Sequence, residues 1–276
     1  MQWKDDAACA VLFTFDVDAT RMWEARTEAG VGDFDTPPIH SMGEYGTDVA
    51  VPRILDLLAE YDLPAGFFVP GQVAERNSDL VADIHDAGHE IGHHSYAHRN
   101  PTAMSAAEER EDFERAMDIL VDITGERPVG YRTPAADMSD RTLERLATMG
   151  FEYESTMMGD DTPYFLETDA GRLVELPFHW STDDAPFFNY NSVPPVRYQS
   201  GMAAPSDVLE IWEWEFDEVY DRGLLLNLAM HPQLMGRPHR MKLLERFIRY
   251  VTGHPDVWIA RPREVARYYR DTHDTD

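Results

Sequence analysis

The chain has 276 residues, 43% of them hydrophobic, which supplies one well-buried core in a length that one or two domains can occupy. Lys and Arg total 24 against 51 Asp and Glu, a formal net charge of -27, so the surface repels phosphate backbones and anionic membranes and excludes nucleic acid as a partner. The carboxylates are spread along the chain, and lysine occurs only at Lys4 and Lys242, a pattern best explained as whole-surface adaptation to high salt.

The N-terminus, MQWKDDAACAVLF, carries no basic leader, long apolar run and small-residue cleavage site, and no later stretch is apolar for long enough to span a bilayer. A cytoplasmic protein is the expectation. Cys9, the lone cysteine, opens the first strand-like run, CAVLFTF, and is expected as a buried core thiol. Further strand-like runs follow as AGFFVP, HEIGHH, VGYR, FEYES, LVELPF, LLLNLAM and VWIA. Between many of them lie amphipathic stretches: VPRILDLLAEY, AAEEREDFERAMDILVDIT, DRTLERLATMG and MKLLERFIRYV.

Strand alternating with helix predicts parallel strands covered by helices. About eight strand candidates, with no phosphate-binding glycine fingerprint after the first, favour barrel-like closure over a nucleotide-binding open sheet. Residues 21–47 and 181–206 break the pattern. Both are rich in Pro, Gly, Asp and aromatics and read as long functional loops or lids.

The polar residues that stand out lie just past the strand ends: Asp16 and Asp18, His94 and His98, Arg132, Ser155, Asp183 and Asp184, and His231. In β/α barrels the loops at the carboxyl ends of the strands converge, so these positions are expected to meet. In Asp16-Val17-Asp18 the carboxylates are two apart, which in extended chain turns both to one side. Two such carboxylates in an apolar site call for a cation, although Asp-x-Asp alone fits a helix cap or a surface turn equally.

In His94-Ser95-Tyr96-Ala97-His98 the four-residue spacing on a helical turn would bring both imidazoles to one divalent ion, while a solvent-facing pair is the alternative. Joined to Asp18, the ligand reading is favoured. His89 is expected exposed or loop-packed, and His93 turned away from His94 into the packing layer. His231, closing LLLNLAM, could donate a proton to a leaving group, and alone it equally fits a core histidine. Arg132 needs a carboxylate partner wherever it is buried, catalytic or structural. Of the aromatics Trp180, Phe187, Phe188, Tyr190, Trp212 and Trp214, the loop members are assigned to a substrate cleft and the last two to core or subunit interface. The Trp-rich segment 211–216 makes a homo-oligomer plausible.

Taken in order, Thr14-Phe15-Asp16-Val17-Asp18, His94-Ser95-Tyr96-Ala97-His98, Arg132-Thr133-Pro134 and Leu228-Ala229-Met230-His231-Pro232 resemble the motifs of polysaccharide deacetylases. Asp183-Asp184-Ala185-Pro186 and the downstream Gly236-Arg237 resemble its intracellular branch, with peptidoglycan-deacetylase-like and allantoinase-like members. The resemblance implies an α/β fold, a distorted (β/α) barrel of about seven or eight parallel strands, as a single catalytic domain over 1–276. It implies that Asp18, His94 and His98 hold Zn²⁺ or another divalent transition metal, and that Asp16, held by Arg132, is the general base toward the attacking water. His231 would be the general acid for the departing amine, and a backbone N–H near Ala135 would help the oxyanion.

Three departures are visible. Val17 splits an acidic pair that secreted members keep adjacent, Ala135 stands where an aromatic often follows Arg-x-Pro, and Glu154-Ser155-Thr156 replaces Asp-Ser-Ser, which withholds an orienting role from Glu154. The expected function is metal-dependent hydrolysis of an amide on an N-acetylated sugar or related small molecule. Alternatives are a cyclic ureide or imide hydrolase and a non-catalytic carbohydrate-binding barrel. Asp16 and His231, neither needed to hold the metal, argue against the last. A two-carboxylate glycosidase would leave His94 and His98 unexplained.

Overall fold

The computed structural model describes residues 1–189 and 202–274. Among them nine strands form one sheet: β1 (Cys9–Asp16), β2 (Gly66–Val69), β3 (Glu90–His93), β4 (Gly130–Tyr131), β5 (Tyr153–Glu154), β6 (Tyr164–Thr168), β7 (Gly171–Glu175), β8 (Leu225–Met230) and β9 (Val257–Ile259). Their order is β6-β7-β5-β4-β3-β2-β1-β8, with β9 beside the start of β1. All neighbours run parallel except the β6–β7 hairpin, which gives the eight parallel strands expected.

The sheet curls into a half-barrel, the α/β fold expected of this strand–helix alternation. Between β7 and β8 the gap is spanned by one parallel bridge, Asp183 with Ala229, and by the Asn227 side-chain amide donating to the Leu176 carbonyl at 3.0 Å. Every residue of β1 is buried, as a central parallel strand covered on both faces requires. Cys9 is wholly buried there, and burial pushes its thiol up to about 12.

The helix Ala106–Thr124 shows how local sequence fixes an element. Ser105 Oγ accepts from the Glu108 N–H, and the Glu108 carboxylate accepts from the Ser105 N–H, a reciprocal cap. Gly125, at φ 69°, ends the helix in the left-handed conformation that glycine adopts without strain. Phe113, Met117 and Leu120 recur at helical spacing and are buried, and the same helix carries Asp112 toward the site.

One expectation needs correction. Residues 21–47 are largely helical, as Arg21–Glu28 and Pro37–Tyr45, because the prolines sit in a first turn and Gly30 and Gly32 serve the positive-φ turn between them. Segment 181–206 contains the short helix Ala185–Phe188 and the start of the helix Pro205–Arg222; Tyr190 and the rest of 190–201 lie outside the described residues. On Pro205–Arg222, Trp212 and Phe216 face the core at i, i+4, whereas Trp214 is 66% exposed. His89, in the loop just before β3, is buried against Phe67, ring centroids 5.3 Å apart, which is the loop-packed alternative and not the exposed one.

The strand β6 carries no clear signal in the sequence because it is the partly exposed arm of a hairpin. No described helix is long and apolar enough to cross a membrane.

Candidate active site and metal centre

β1 ends at Asp16, and the Val17 N–H still donates to the Phe68 carbonyl at 2.9 Å, which keeps the chain extended. Val17 packs into the core while Asp16 and Asp18 both line one large cavity, as the two-residue alternation predicts. The Asp18 carbonyl then accepts from the Arg21 N–H at 2.8 Å and starts the helix Arg21–Glu28.

His94 follows β3 directly. Its Nδ1 lies 2.7 Å from the Arg132 carbonyl, which assigns the proton to Nδ1 and leaves the Nε2 lone pair facing Asp18. The segment to His98 is not the helical turn expected. Ser95 and His98 have φ of 59° and 53°, so the chain turns sharply and still brings the two rings together, centroids 5.1 Å apart. The Asp112 carboxylate accepts from the Tyr96 N–H at 2.6 Å and the Ala97 N–H at 3.3 Å, and Arg21 Nε donates to the Ala97 carbonyl at 2.9 Å. These groups hold the turn from outside the cavity. His93 turns the other way, as expected: its Nε2 lies 3.1 Å from the Phe113 carbonyl, and it packs on Tyr131 and Phe151.

Asp18 is 1% exposed, with Oδ1 3.3 Å from His94 Nε2 and Oδ2 3.3 Å from His98 Nε2. Burial alone would raise its carboxyl, yet the imidazoles of His98, His94 and His231 around it hold it well below the usual carboxylate range. Oδ1 has no hydrogen-bond partner. A buried carboxylate oxygen left unmatched is costly unless a cation completes it. Ligand atoms at Zn–N and Zn–O distances on a tetrahedral ion sit about 3.3 to 3.5 Å apart, the separation seen here on both sides of Asp18. The donor set therefore fits a divalent transition ion.

Arg132, 2% exposed, anchors the other carboxylate. Its Nη1 donates to Asp16 Oδ1 at 2.9 Å and to Thr14 Oγ1 at 2.8 Å, its Nε to the Ser155 carbonyl at 2.9 Å and its Nη2 to Ser155 Oγ at 3.0 Å. Phe68 lies 4.3 Å below the guanidinium. Ser155 is fixed in turn by the Asn227 amide at 3.0 Å. Asn227 drew no role from the sequence, although an asparagine inside LLLNLAM was the available signal.

From the sequence Asp184 stands out without a role. In the structure its Oδ1 lies 2.7 Å from His231 Nδ1, and both its oxygens accept from the His231 N–H at 3.1 Å. His231 Nε2 thus faces Asp18 Oδ2 at 3.7 Å. Burial alone would lower the His231 pKa, but Asp184 and Asp183 beside it raise it well above the ordinary value. Burial lifts Asp183 to about 7 against the pull of His231. Asp183, Asp184 and His231 also bring three ligand atoms within 4.8 Å, but Asp184 is already committed to orienting the imidazole.

Glu154 does not touch Arg132. It accepts from the Thr156 N–H at 3.0 Å and lies beside Glu175, both wholly buried. The cavity measures about 1140 Å³. Trp180 and Phe178 line it, with Ala135 at φ 58°, whereas Phe188 of the expected substrate aromatics packs in the core instead.

The chain's likenesses agree with this geometry. The family model for polysaccharide deacetylase matches residues 33–154. The peptidoglycan deacetylase of Helicobacter pylori is 32% identical over 279 residues, covering 90% of this chain and 92% of the relative. A solved polysaccharide deacetylase homologue from Mycobacterium smegmatis superposes with a TM-score of 0.92 at 38% identity, over 100% of this chain and 94% of the other. The structure of PuuE allantoinase superposes with a TM-score of 0.84 at 27% identity, again over 100% and 94%. Similarity of this extent to a curated relative along nearly its whole length, together with the matching family model, means that the chain belongs to the polysaccharide deacetylase family.

Proposed function

We propose that this deacetylase-family hydrolase depends on a divalent metal, zinc foremost, and removes an acetyl group from the nitrogen of an N-acetylated sugar or related small amide. The observation that carries the reading is Asp18, a buried carboxylate whose Oδ1 has no hydrogen-bond partner, with His94 Nε2 3.3 Å from Oδ1 and His98 Nε2 3.3 Å from Oδ2. A divalent ion held by Asp18, His94 and His98 would supply Lewis acidity to the attacking water and to the amide carbonyl.

The rest is done by the chain's own groups. Asp16, fixed by Arg132, is positioned to accept the proton of the attacking water. His231, its Nδ1 held by Asp184, points Nε2 into the cavity and is positioned to protonate the departing amine. Water adds to the carbonyl carbon, the C–N bond breaks, and amine and carboxylate leave. Carboxylate base and imidazole acid have separate anchors, Arg132 and Asp184, so neither loses its anchor when the other moves a proton. The whole of 1–276 is read as one catalytic unit, working in a salt-rich cytoplasm without nucleic-acid or membrane partners.

The superposition on PuuE allantoinase favours a second reading, hydrolysis of a cyclic ureide. Acetate release from N-acetylated oligosaccharides, beside ring opening of allantoin, separates the two. The first reading expects chelator-sensitive acetate release and no ring opening; ring opening alone would reverse it.

A further inference from the structure

The helix Arg21–Glu28 presents Met22, Ala25 and Arg26 to the cavity, with Ala29 one turn on. Spacing of three and four residues puts these side chains on one face, so Arg26 is carried on the cavity wall. Its guanidinium is the unusual member. Among the described residues no carboxylate pairs with it and no acceptor takes its hydrogens.

The other arginines of the cavity are matched: Arg132 by Asp16 at 2.9 Å and Arg99 by Glu108 at 3.9 Å. The acid nearest in sequence is already taken, since Glu28 receives both terminal nitrogens of Arg21, at 2.7 and 2.8 Å. Arg26 and Asp18 line the same cavity; burial lowers the Arg26 pKa and the charge of Asp18 counters it. In a chain with 51 acidic and 24 basic residues, a partly buried arginine left without a carboxylate is an open binding position for an anion.

We infer that Arg26 anchors an anionic group, a carboxylate or a phosphate, carried by the same substrate molecule as the amide. The inference rests on the deacetylase reading above and narrows its substrate class from neutral to acidic N-acyl compounds. Five guanidinium donors in a planar fork suit a carboxylate or phosphate bidentately. The cavity of about 1140 Å³ exceeds what the amide alone requires and leaves room for that second group.

The test is calorimetric titration with three probes: N-acetylmuramic acid, which carries a carboxylate, N-acetylglucosamine 6-phosphate, and neutral N-acetylglucosamine. The parent protein, Arg26→Met and Arg26→Lys are compared, with thermal melting as the check on folding. At least one anionic sugar should bind about tenfold or more tighter than the neutral one. Arg26→Met should remove that preference without weakening the neutral sugar, and Arg26→Lys should keep part of it. Which anion is preferred identifies the group recognised. No preference for either anion in the parent, or a preference that Arg26→Met retains, overturns the inference. Acetate release by the parent protein is scored separately: its absence would defeat the deacetylase reading without altering the anion comparison.

Discussion

His231 Nδ1 and Asp184 Oδ1 lie 2.7 Å apart, and the same carboxylate also accepts from the His231 backbone N–H. One aspartate therefore fixes both the position and the tautomer of the imidazole. Asp184→Asn should keep metal content and fold but lower kcat by about a hundredfold or more, the range of a lost acid–base contribution. Unchanged turnover with saturating substrate would show that His231 needs no such orienting partner.

Asp16 is tied to Arg132 at 2.9 Å through Oδ1, and its Oδ2 lies 4.0 Å from His94 Nε2, beside the proposed ligands Asp18, His94 and His98. Asp16→Asn should abolish turnover while leaving bound metal intact. Arg132→Met should do more damage: it strands Asp16 and removes the support of Ser155, costing about 3 to 5 kcal/mol of stability in urea unfolding. A loss below about 1 kcal/mol would mean that the buried pair is not structurally required.

The turn between His94 and His98 is held by Asp112, which stands behind the cavity wall and not in its lining. Asp112→Ala is expected to weaken zinc affinity by about ten- to a hundredfold, as the loss of an outer support does, with Asp16 and His231 untouched. Competition with a chromogenic chelator reads this directly. Equal affinity in both proteins would remove Asp112 from the account.

Much of this arrangement was legible in the sequence. Strand alternation and the polar residues at strand ends point to one cavity for Asp16, Asp18, His94, His98, Arg132 and His231, and all six line it. What was not legible depends on packing between distant segments. The His94–His98 turn is set by positive φ at Ser95 and His98, which i, i+4 spacing cannot distinguish from a helix. Asp112 lies on an amphipathic helix where an acidic residue reads as solvent-facing, and Asn227 and Ser155 act only because β5 and β8 approach across the sheet gap. Prolines in 21–47 suggest loops because their helix-first-turn role is visible only once the helices are drawn.

Glu175 and Glu154 face one another on neighbouring strands, both wholly buried. Burial, then the Glu154 charge, raises the Glu175 carboxyl well above its ordinary value, and burial raises Glu154. A raised folded-state value means that the folded protein holds the proton more tightly. The contribution to stability is full below the unfolded value of 4.5 and is lost as pH climbs through the raised folded value. Glu175 Oε1 accepts from the Thr156 and Met157 N–H groups, while Oε2 has no partner. Glu175→Gln keeps the first role and gives a donor for Glu154 at the second. It should flatten the fall in stability above about pH 5, a slope of up to about 1.4 kcal/mol per pH unit for one proton. Parallel urea-melt profiles for parent and variant from about pH 5 to 8 would contradict it.

The central claim is that Asp18, His94 and His98 hold a metal. It is tested most directly by elemental analysis, in high salt, of protein purified without added metal, beside a His94→Ala/His98→Ala control. The account predicts about one transition-metal ion per chain, zinc foremost, in the parent protein and none in the control. No metal in either sample, and none taken up on soaking with zinc, would contradict the metal-dependent mechanism and leave the ureide-hydrolase reading in its place.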